Sequence, residues 1–397
     1  LVLGDQSEEF KRLAWASWGP ERVSKVTVAW GLQGNNDRTD SLLPMNHPAL
    51  PLFPGFTHHQ IEVATGLHIS AMVGGHGPGL LLLHGHPQTL AIWHKVAPTL
   101  AQHFTVVAAD LRGYGDSSKP EGGPDHAAYA KRSLAQDQID LMQQLGLARF
   151  HVLAHDRGAR VAHRLGMDHP QAVRQMVLLD IAPTLAMYAQ TSEAFARAYW
   201  HWFFLIQPRP LPERLIEADP AAYVTDVMGN RSAGLAPFDA RALAEYQRCL
   251  ALPGAAHGLC EDYRASAGID LQHDREDIAQ GRRLQMPLKV LWGEQGVVQR
   301  CFEPLKEWQK VAEQVSGLAL PCGHYIAEEA PHALLAQVLE ELQRYYPAPI
   351  VLLNERAAQQ NVSGSYQLDD PQAVVQALAR VTASQLTRLP GGALLIR

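Results

Sequence analysis

The hydrophobic and polar positions of this chain fall into three regimes, and the middle one is the most regular. From Gln60 onward the pattern is strand-like. Gln60–Ala64 and Leu67–Val73 read as an antiparallel hairpin joined through Gly66. Leu80–Leu83 is short and wholly apolar, as expected of a strand buried on both faces. Thr105–Ala109, Phe150–Ala154 and Met176–Leu179 repeat that signal, with a helix expected over Ser133–Leu145. Strand runs alternating with helical stretches predict a mostly parallel sheet covered by helices. In such sheets chemistry gathers at the carboxyl ends of the strands. His84, Asp110, Asp156 and Asp180 all stand there.

The alternation stops at Pro183. Up to about Arg283 the chain is helical, aromatic-rich and irregular, densest in AFARAYWHWFFLIQPRPLP, and is expected to be a helical cap inserted into the sheet. Strands resume at Leu288–Trp292 and Leu318–Leu320, and Pro331–Tyr345 is expected to be the closing helix. The two ends differ from this middle. Residues 1–50 lack sustained periodicity, carry a turn-rich stretch over Gly34–Asp40, and are expected to be weakly ordered, with the native start near Met45. Residues 348–397 read as a small module: strand Val362–Leu368, helix Pro371–Val381, a turn at Pro390–Gly392 and strand Ala393–Ile396. The stretches GSYQLDDP and LPGGALLIR in it resemble the C-terminal module of FecR-type signal-transduction proteins. The expected division is therefore 1–50, 51–182 (core), 183–285 (cap), 286–347 (core) and 348–397.

Composition adds exclusions. With 397 residues, 47% hydrophobic and 19% charged, the profile is that of an ordinary soluble globular chain with room for one large domain and an insertion. A net charge of -6 without a long basic run argues against a nucleic-acid surface. No apolar run reaches the roughly 18 residues of a membrane span. Cys249, Cys260, Cys301 and Cys322 have neither metal-site nor disulfide-framework spacing, which suggests free thiols in a reducing cytoplasm. A basic n-region followed by an apolar h-region is missing, so export is not expected.

The chemistry centres on FHVLAHDRGARVAHRL, Phe150 to Leu165. An apolar strand turns sharply at His155-Asp156-Arg157-Gly158 and leads into a helix, with small Ala154 and Gly158 two residues either side of Asp156. This is the strand–elbow–helix pattern of an α/β-hydrolase nucleophile, with aspartate where serine is usual. A carboxylate there can attack saturated carbon and leave an ester on the enzyme. Read alone, Asp156 is equally an N-cap. His324, in a Gly-His turn after the last strand, is the candidate base. The orienting acid is expected after the penultimate strand, but Trp292-Gly293-Glu294-Gln295-Gly296 puts glycine there, leaving Asp180 as substitute and Glu294 in reserve. Backbone N–H groups of His86 and Arg157 are the candidate oxyanion donors. Arg157 and Arg160 stand near a helix N-terminus, against the dipole preference. Bidentate binding of an anionic substrate would account for them, and carboxylates and phosphates both fit. Surface or Asp-paired arginines are the plain alternative.

Taken together, HDRGAR, HGHPQT, DLRGYGDSSKP, LLDIAP, YWHWFFLIQP, CEDYRA and GHYIAEEAP resemble the fluoroacetate (haloacetate) dehalogenases over about residues 52 to 346. The resemblance implies an α/β-hydrolase fold with an inserted helical cap and helices on both faces of the sheet. It implies Asp156 as nucleophile, Asp180 as acid, His324 as base, and Arg157 with Arg160 as carboxylate ligands. His201, Trp202 and Tyr263 match the donors to the leaving halide. Without the resemblance those three would be read as cap core. His86 departs from the family, which usually has phenylalanine there, and puts a titratable wall in the pocket. The implied reaction converts a haloacetate and water to glycolate and halide with no cofactor and no metal, in a cytoplasmic protein for which a homodimer is compatible with its relatives. An epoxide hydrolase would use the same nucleophile with two of Tyr199, Tyr246 and Tyr263, but would leave both arginines without a role. A non-catalytic binding or signalling protein would leave a complete Asp-His-Asp set unused. A serine esterase is not expected, because G-x-S-x-G does not occur.

Overall fold

The computed structural model describes residues 47–231 and 233–343, together with three short strands near the C-terminus. Expectations for residues 1–46, Val362–Leu368, Pro371–Val381 and Pro390–Gly392 lie outside the described residues. The chain divides into two compact units, Asp40–Leu342 and the remainder.

In the larger unit eight strands form one sheet in the order β1-β2-β4-β3-β5-β6-β7-β8. The strands are β1 (Phe56–Ala64), β2 (Leu67–Gly75), β3 (Gly79–Leu83), β4 (Thr105–Ala109), β5 (Phe150–His155), β6 (Val173–Leu179), β7 (Leu288–Gly293) and β8 (Val315–Leu320). β1 and β2 are the expected hairpin, and β2 runs antiparallel to β4. From β4 to β8 every neighbouring pair is parallel. Leu80, Leu81, Leu82 and Leu83 are fully buried, because both faces of β3 are covered. Burying each contributes roughly 1.5–3 kcal/mol, the reason a four-leucine run forms a central strand.

The sheet order locates the crevice. After β3 the chain crosses to β4 on one side and then to β5 on the other, so the winding reverses between β3 and β5. Loops leaving the carboxyl ends of strands at such a point diverge and open a cleft. The loop after β3 carries His84–Pro87, and the turn after β5 carries Asp156. Two helices support this region, α1 (Lys131–Gln144) and α2 (Asp156–Asp168).

Between β6 and β7 lie eight helices among the described residues. They are α3 (Thr184–Ala189), α4 (Glu193–Ala198), α5 (Trp200–Leu205), α6 (Leu211–Ala218), α7 (Pro220–Gly229), α8 (Ala240–Leu250), α9 (Ala255–Ala267) and α10 (Ile269–Ala279). They are short because capping residues interrupt them. Ser192, Asp219 and Asp239 each accept a backbone N–H at a helix start, and Pro220 opens α7. Helix α11 (Pro331–Gln343) follows β8. His47 and Ala49, which precede the boundary expected at residue 50, are buried.

The C-terminal strands β9 (Ile350–Leu352), β10 (Leu386–Arg388) and β11 (Leu394–Ile396) form a separate sheet, with β11 antiparallel to β10 and parallel to β9. Of the expected module, only the last strand lies among the described residues. No helix among the described residues is long and apolar enough to cross a membrane.

Candidate active site

Asp156 sits at the tip of the elbow with φ +45°, a left-handed conformation that costs a non-glycine residue energy and needs support from its surroundings. That support is close packing. A Cβ on Gly158 would meet the His84 carbonyl oxygen at 2.5 Å, and one on Gly85 would meet the Asp156 Cβ at 2.4 Å. Glycine at both positions lets the β3 loop and the β5 elbow touch. The Gly158 N–H donates to the His84 carbonyl at 2.8 Å, and the His86 N–H donates to Asp156 Oδ1 at 3.0 Å. The carboxylate is buried, yet it is held well below the usual carboxylate range: burial opposes its charge, and His324, His155, Arg157 and Arg160 outweigh it. It is therefore ionised.

The other strand-end groups divide by role. Asp110 accepts the N–H groups of Leu90 (2.7 Å) and Asp116 (3.1 Å), bracing two loops. His84 Nε2 accepts the Leu111 N–H at 3.1 Å, so its proton is on Nδ1 and faces the Gly85 carbonyl at 3.0 Å. Both are structural. Asp180 instead reaches His324: Oδ2 accepts from Nδ1 at 2.6 Å, and Oδ1 accepts the Gly293 N–H at 3.0 Å. With its proton committed to Asp180, His324 has Nε2 free to accept one. The loop around His324 is clamped by Glu329, which accepts the Gly323 N–H (2.6 Å) and the Tyr325 N–H (2.9 Å). Glu294 is exposed and plays no part in this arrangement. Asp180 thus occupies the orienting position next to His324.

Arg157 and Arg160 are buried, and neither is a surface arginine. Arg157 donates through Nε to Asp262 Oδ2 (2.6 Å) and through Nη2 to the Asp262 carbonyl (2.9 Å) and Ser266 Oγ (2.6 Å). Its guanidinium lies 4.0 Å over the Tyr263 ring, and Nη1 is buried without a partner. Arg160 lies 4.7 Å over the Trp202 ring and donates to Thr184 Oγ1 (2.9 Å) and the Ala182 carbonyl (3.3 Å), while Nε has no partner. Among the described residues Arg160 forms no ion pair with a carboxylate. A buried cation in that state is costly unless an anion completes it.

His201 and Trp202 of α5 and Tyr263 of α9 are brought together beside the loop that follows β3. The His201 ring stacks on His86 at 5.4 Å and 8°, and Tyr263 lies 5.3 Å from His86 and 5.9 Å from His201. Trp202 Nε1 and Tyr263 Oη are buried donors without partners. His201 titrates well below its ordinary value because burial, Arg231 and His86 disfavour its charge. It is a neutral donor. His86 is likewise pushed down to about 3, chiefly by burial, and its Nε2 faces the Tyr223 hydroxyl at 3.2 Å. The wall expected to be titratable therefore stays neutral through the ordinary pH range.

Three residues the sequence did not flag complete the site. Asp262, inside the CEDYRA motif, binds Arg157, Lys131 (2.5 Å) and the Tyr114 hydroxyl (2.9 Å), tying the helical insertion to α1 and α2. Tyr223 contacts His86, and Arg231 covers the Tyr199 ring at 4.6 Å. Tyr246 donates to Glu328 Oε1 at 2.7 Å, which removes it as an acid for a substrate. A cluster that could hold a metal cation, His47, Asp116 and Glu245, lies elsewhere, and Arg248 already binds both carboxylates there.

Comparison with known proteins agrees with the fold. Residues 78–295 match a family model described as alpha/beta hydrolase fold. The chain is 44% identical over 291 residues to a fluoroacetate dehalogenase from Burkholderia sp, covering 73% of this chain and 94% of that protein. It is 33% identical over 292 residues to a soluble epoxide hydrolase from Corynebacterium sp. (strain C12), covering 72% and 96%. A solved structure of a candidate alpha/beta hydrolase from Nostoc sp PCC 7120 superposes with a TM-score of 0.69 at 50% identity, covering 72% of this chain and 98% of that one.

Proposed function

Because this chain belongs to the α/β-hydrolase fold family, in its fluoroacetate/haloacetate dehalogenase group, we propose that it hydrolyses haloacetates to glycolate and halide through a covalent ester on Asp156. The observation that carries the reading is the pair of buried, incompletely bonded arginines beside an ionised aspartate. Arg157 Nη1 and Arg160 Nε are free to hold a substrate carboxylate. An ionised nucleophile would repel such a substrate unless cations of this kind faced it.

In the proposed first step the His86 N–H holds Asp156 Oδ1, and the other carboxylate oxygen attacks the α-carbon. The carbon–halide bond breaks, and the halide leaves with its electron pair. Trp202 Nε1, Tyr263 Oη and neutral His201 are the donors for it. Fluoride, a poor leaving group and strong acceptor, gains most from donors that tighten as charge develops. In the second step His324 Nε2 takes a proton from water, which adds to the Asp156 ester carbonyl. Its oxyanion forms at the oxygen already facing the His86 N–H, with the Arg157 N–H at the first turn of α2 as second donor. Asp180 stabilises the imidazolium. The ester C–O bond then breaks, His324 returns its proton to the departing glycolate oxygen, and Asp156 loses its remaining proton to solvent, without metal or organic cofactor.

A second reading is an epoxide hydrolase with Tyr199 and Tyr263 as acids. It is supported by the unpartnered hydroxyls of both residues and by the epoxide hydrolase relatives. It gives the arginines nothing to bind. Fluoride and chloride release from fluoroacetate and chloroacetate, measured for wild type and Asp156→Ala beside an epoxide, separates the two. Halide release that vanishes in the variant supports the dehalogenase. Epoxide turnover without halide release replaces it.

A further inference from the structure

Arg231 follows α7 and folds back over Tyr199, its guanidinium 4.6 Å from the ring centroid. Among the described residues it pairs with no carboxylate, and its Nη1 is buried without a hydrogen-bond partner. Its charge acts on Asp156, Tyr199, Tyr263 and Tyr325, and it disfavours protonation of His86 and His201. Because the Tyr199 ring under it lies against His201 and His324, Arg231 is a third cation beside the Asp156 site.

The two arginines near the nucleophile are arranged differently. Arg157 and Arg160 contact Tyr263, Trp202, Asp262, Thr184 and Ala182, and each feels the other's charge. Arg231 packs on Tyr199, whose ring lies 6.1 Å from His324 and 5.3 Å from His201. A haloacetate has one carboxylate, which Arg157 and Arg160 already match. Asp156 cannot be the lasting partner of Arg231, since it becomes a neutral ester during the reaction. Arg231 is half-buried and its Nη1 has no hydrogen-bond partner, so one charged donor is left for an anionic group of a ligand.

We propose that Arg231 is a second anion subsite, binding an acidic substituent on the α-carbon, so that short 2-halogenated dicarboxylic acids are turned over in preference to neutral 2-haloacids of equal size. This rests on the dehalogenase reading. The chemistry is unchanged: an Asp156 oxygen bonds to C2, the C2–halogen pair leaves on halide, and water adds to the ester carbonyl, its proton passing to His324. The net reaction is halodiacid plus water to 2-hydroxydiacid, halide and a proton.

The test compares 2-chlorosuccinate with 2-chlorobutyrate, which match in length and differ in the distal charge, with chloroacetate as the reference substrate. Wild-type kcat/KM favours the diacid by about tenfold or more, the size expected of one charge-assisted contact. Arg231→Gln brings the ratio to about one, and Arg231→Lys retains part of it. A wild-type ratio of one or less, or an undiminished ratio in Arg231→Gln, overturns the proposal. Calorimetric binding of 2-hydroxysuccinate and 2-hydroxybutyrate reads the same ratio without chemistry. If no halide is released from any substrate, including chloroacetate, the dehalogenase reading fails, and the binding ratio still decides the subsite.

Discussion

Replacing Asp262 by asparagine removes one negative charge from a cluster in which that charge does two jobs. Oδ2 accepts from Arg157 Nε at 2.6 Å and the Tyr114 hydroxyl at 2.9 Å, and Oδ1 accepts from Lys131 Nζ at 2.5 Å. Asp262, Arg157 and Lys131 are all buried. The carboxyl is held well below its usual range: burial opposes the charge, but Arg157 and Lys131 outweigh it. An asparagine has one oxygen and one NH2 group, so one of those donors would face another donor. Lys131 would keep Asp270 at 3.4 Å, and Arg157 would keep Ser266 and a backbone carbonyl. Breaking a buried pair on one side costs about 3–5 kcal/mol. Against a typical total of roughly 5–15 kcal/mol, that is a large loss. Urea unfolding followed by tryptophan fluorescence should move its midpoint down by about 1 M or more, taking a slope of roughly 3 kcal/mol per M for a unit of this size. The same variant should raise KM for a haloacetate, because Arg157 loses the ion-pair contact that positions its guanidinium. Adding Lys131→Met removes the stranded cation, so the double variant should lose less than the sum of the two single losses. An Asp262→Asn protein with wild-type midpoint and wild-type KM would refute the reasoning.

Two further outcomes follow from the same groups. Arg160→Met should raise KM for chloroacetate at least about tenfold, since a charged hydrogen bond is lost, yet unfold no earlier than wild type on heating, because the free protein loses an unpaired buried cation; a lower melting temperature with unchanged KM would contradict this. Stability should fall on mild acidification. Burial pushes His86, His155 and His163 each down to about 3, from 6.5. Between those values the unfolded chain binds more protons, so stability rises with pH through that window and is lost as pH falls below 6.5. At pH 5 the loss is about 2 kcal/mol for each histidine. Melting temperatures recorded from pH 7.5 to 5 that do not decline would count against neutral burial of these rings.

The central strands were legible because they are buried on both faces and therefore uniformly apolar. β8 was read short, as Leu318–Leu320, because it lies at the sheet edge, half-exposed and alternating, with Leu318 39% exposed. The elbow was legible for a different reason: Ala154, Gly158 and Gly85 are small because the loops touch, and that constraint is written locally. Asp180 could be reached only by noticing that Gly296 stands where an acid is usual. Its 2.6 Å contact with His324 joins residues 144 positions apart, a proximity created by the parallel sheet. Asp262 and Arg231 carried no local signal. Their roles arise from how the insertion packs on the sheet, and neither periodicity nor turn chemistry encodes that.

The central claim is that Asp156 becomes an ester which His324 then hydrolyses. The measurement that addresses it is mass mapping of His324→Asn after incubation with chloroacetate, with Asp156→Asn in the same background as control. The account predicts a glycolyl adduct on the peptide carrying Asp156, accumulating one per chain with halide released in a single burst, and absent from the control. Continued halide release with no adduct, or an adduct on another residue, would contradict it.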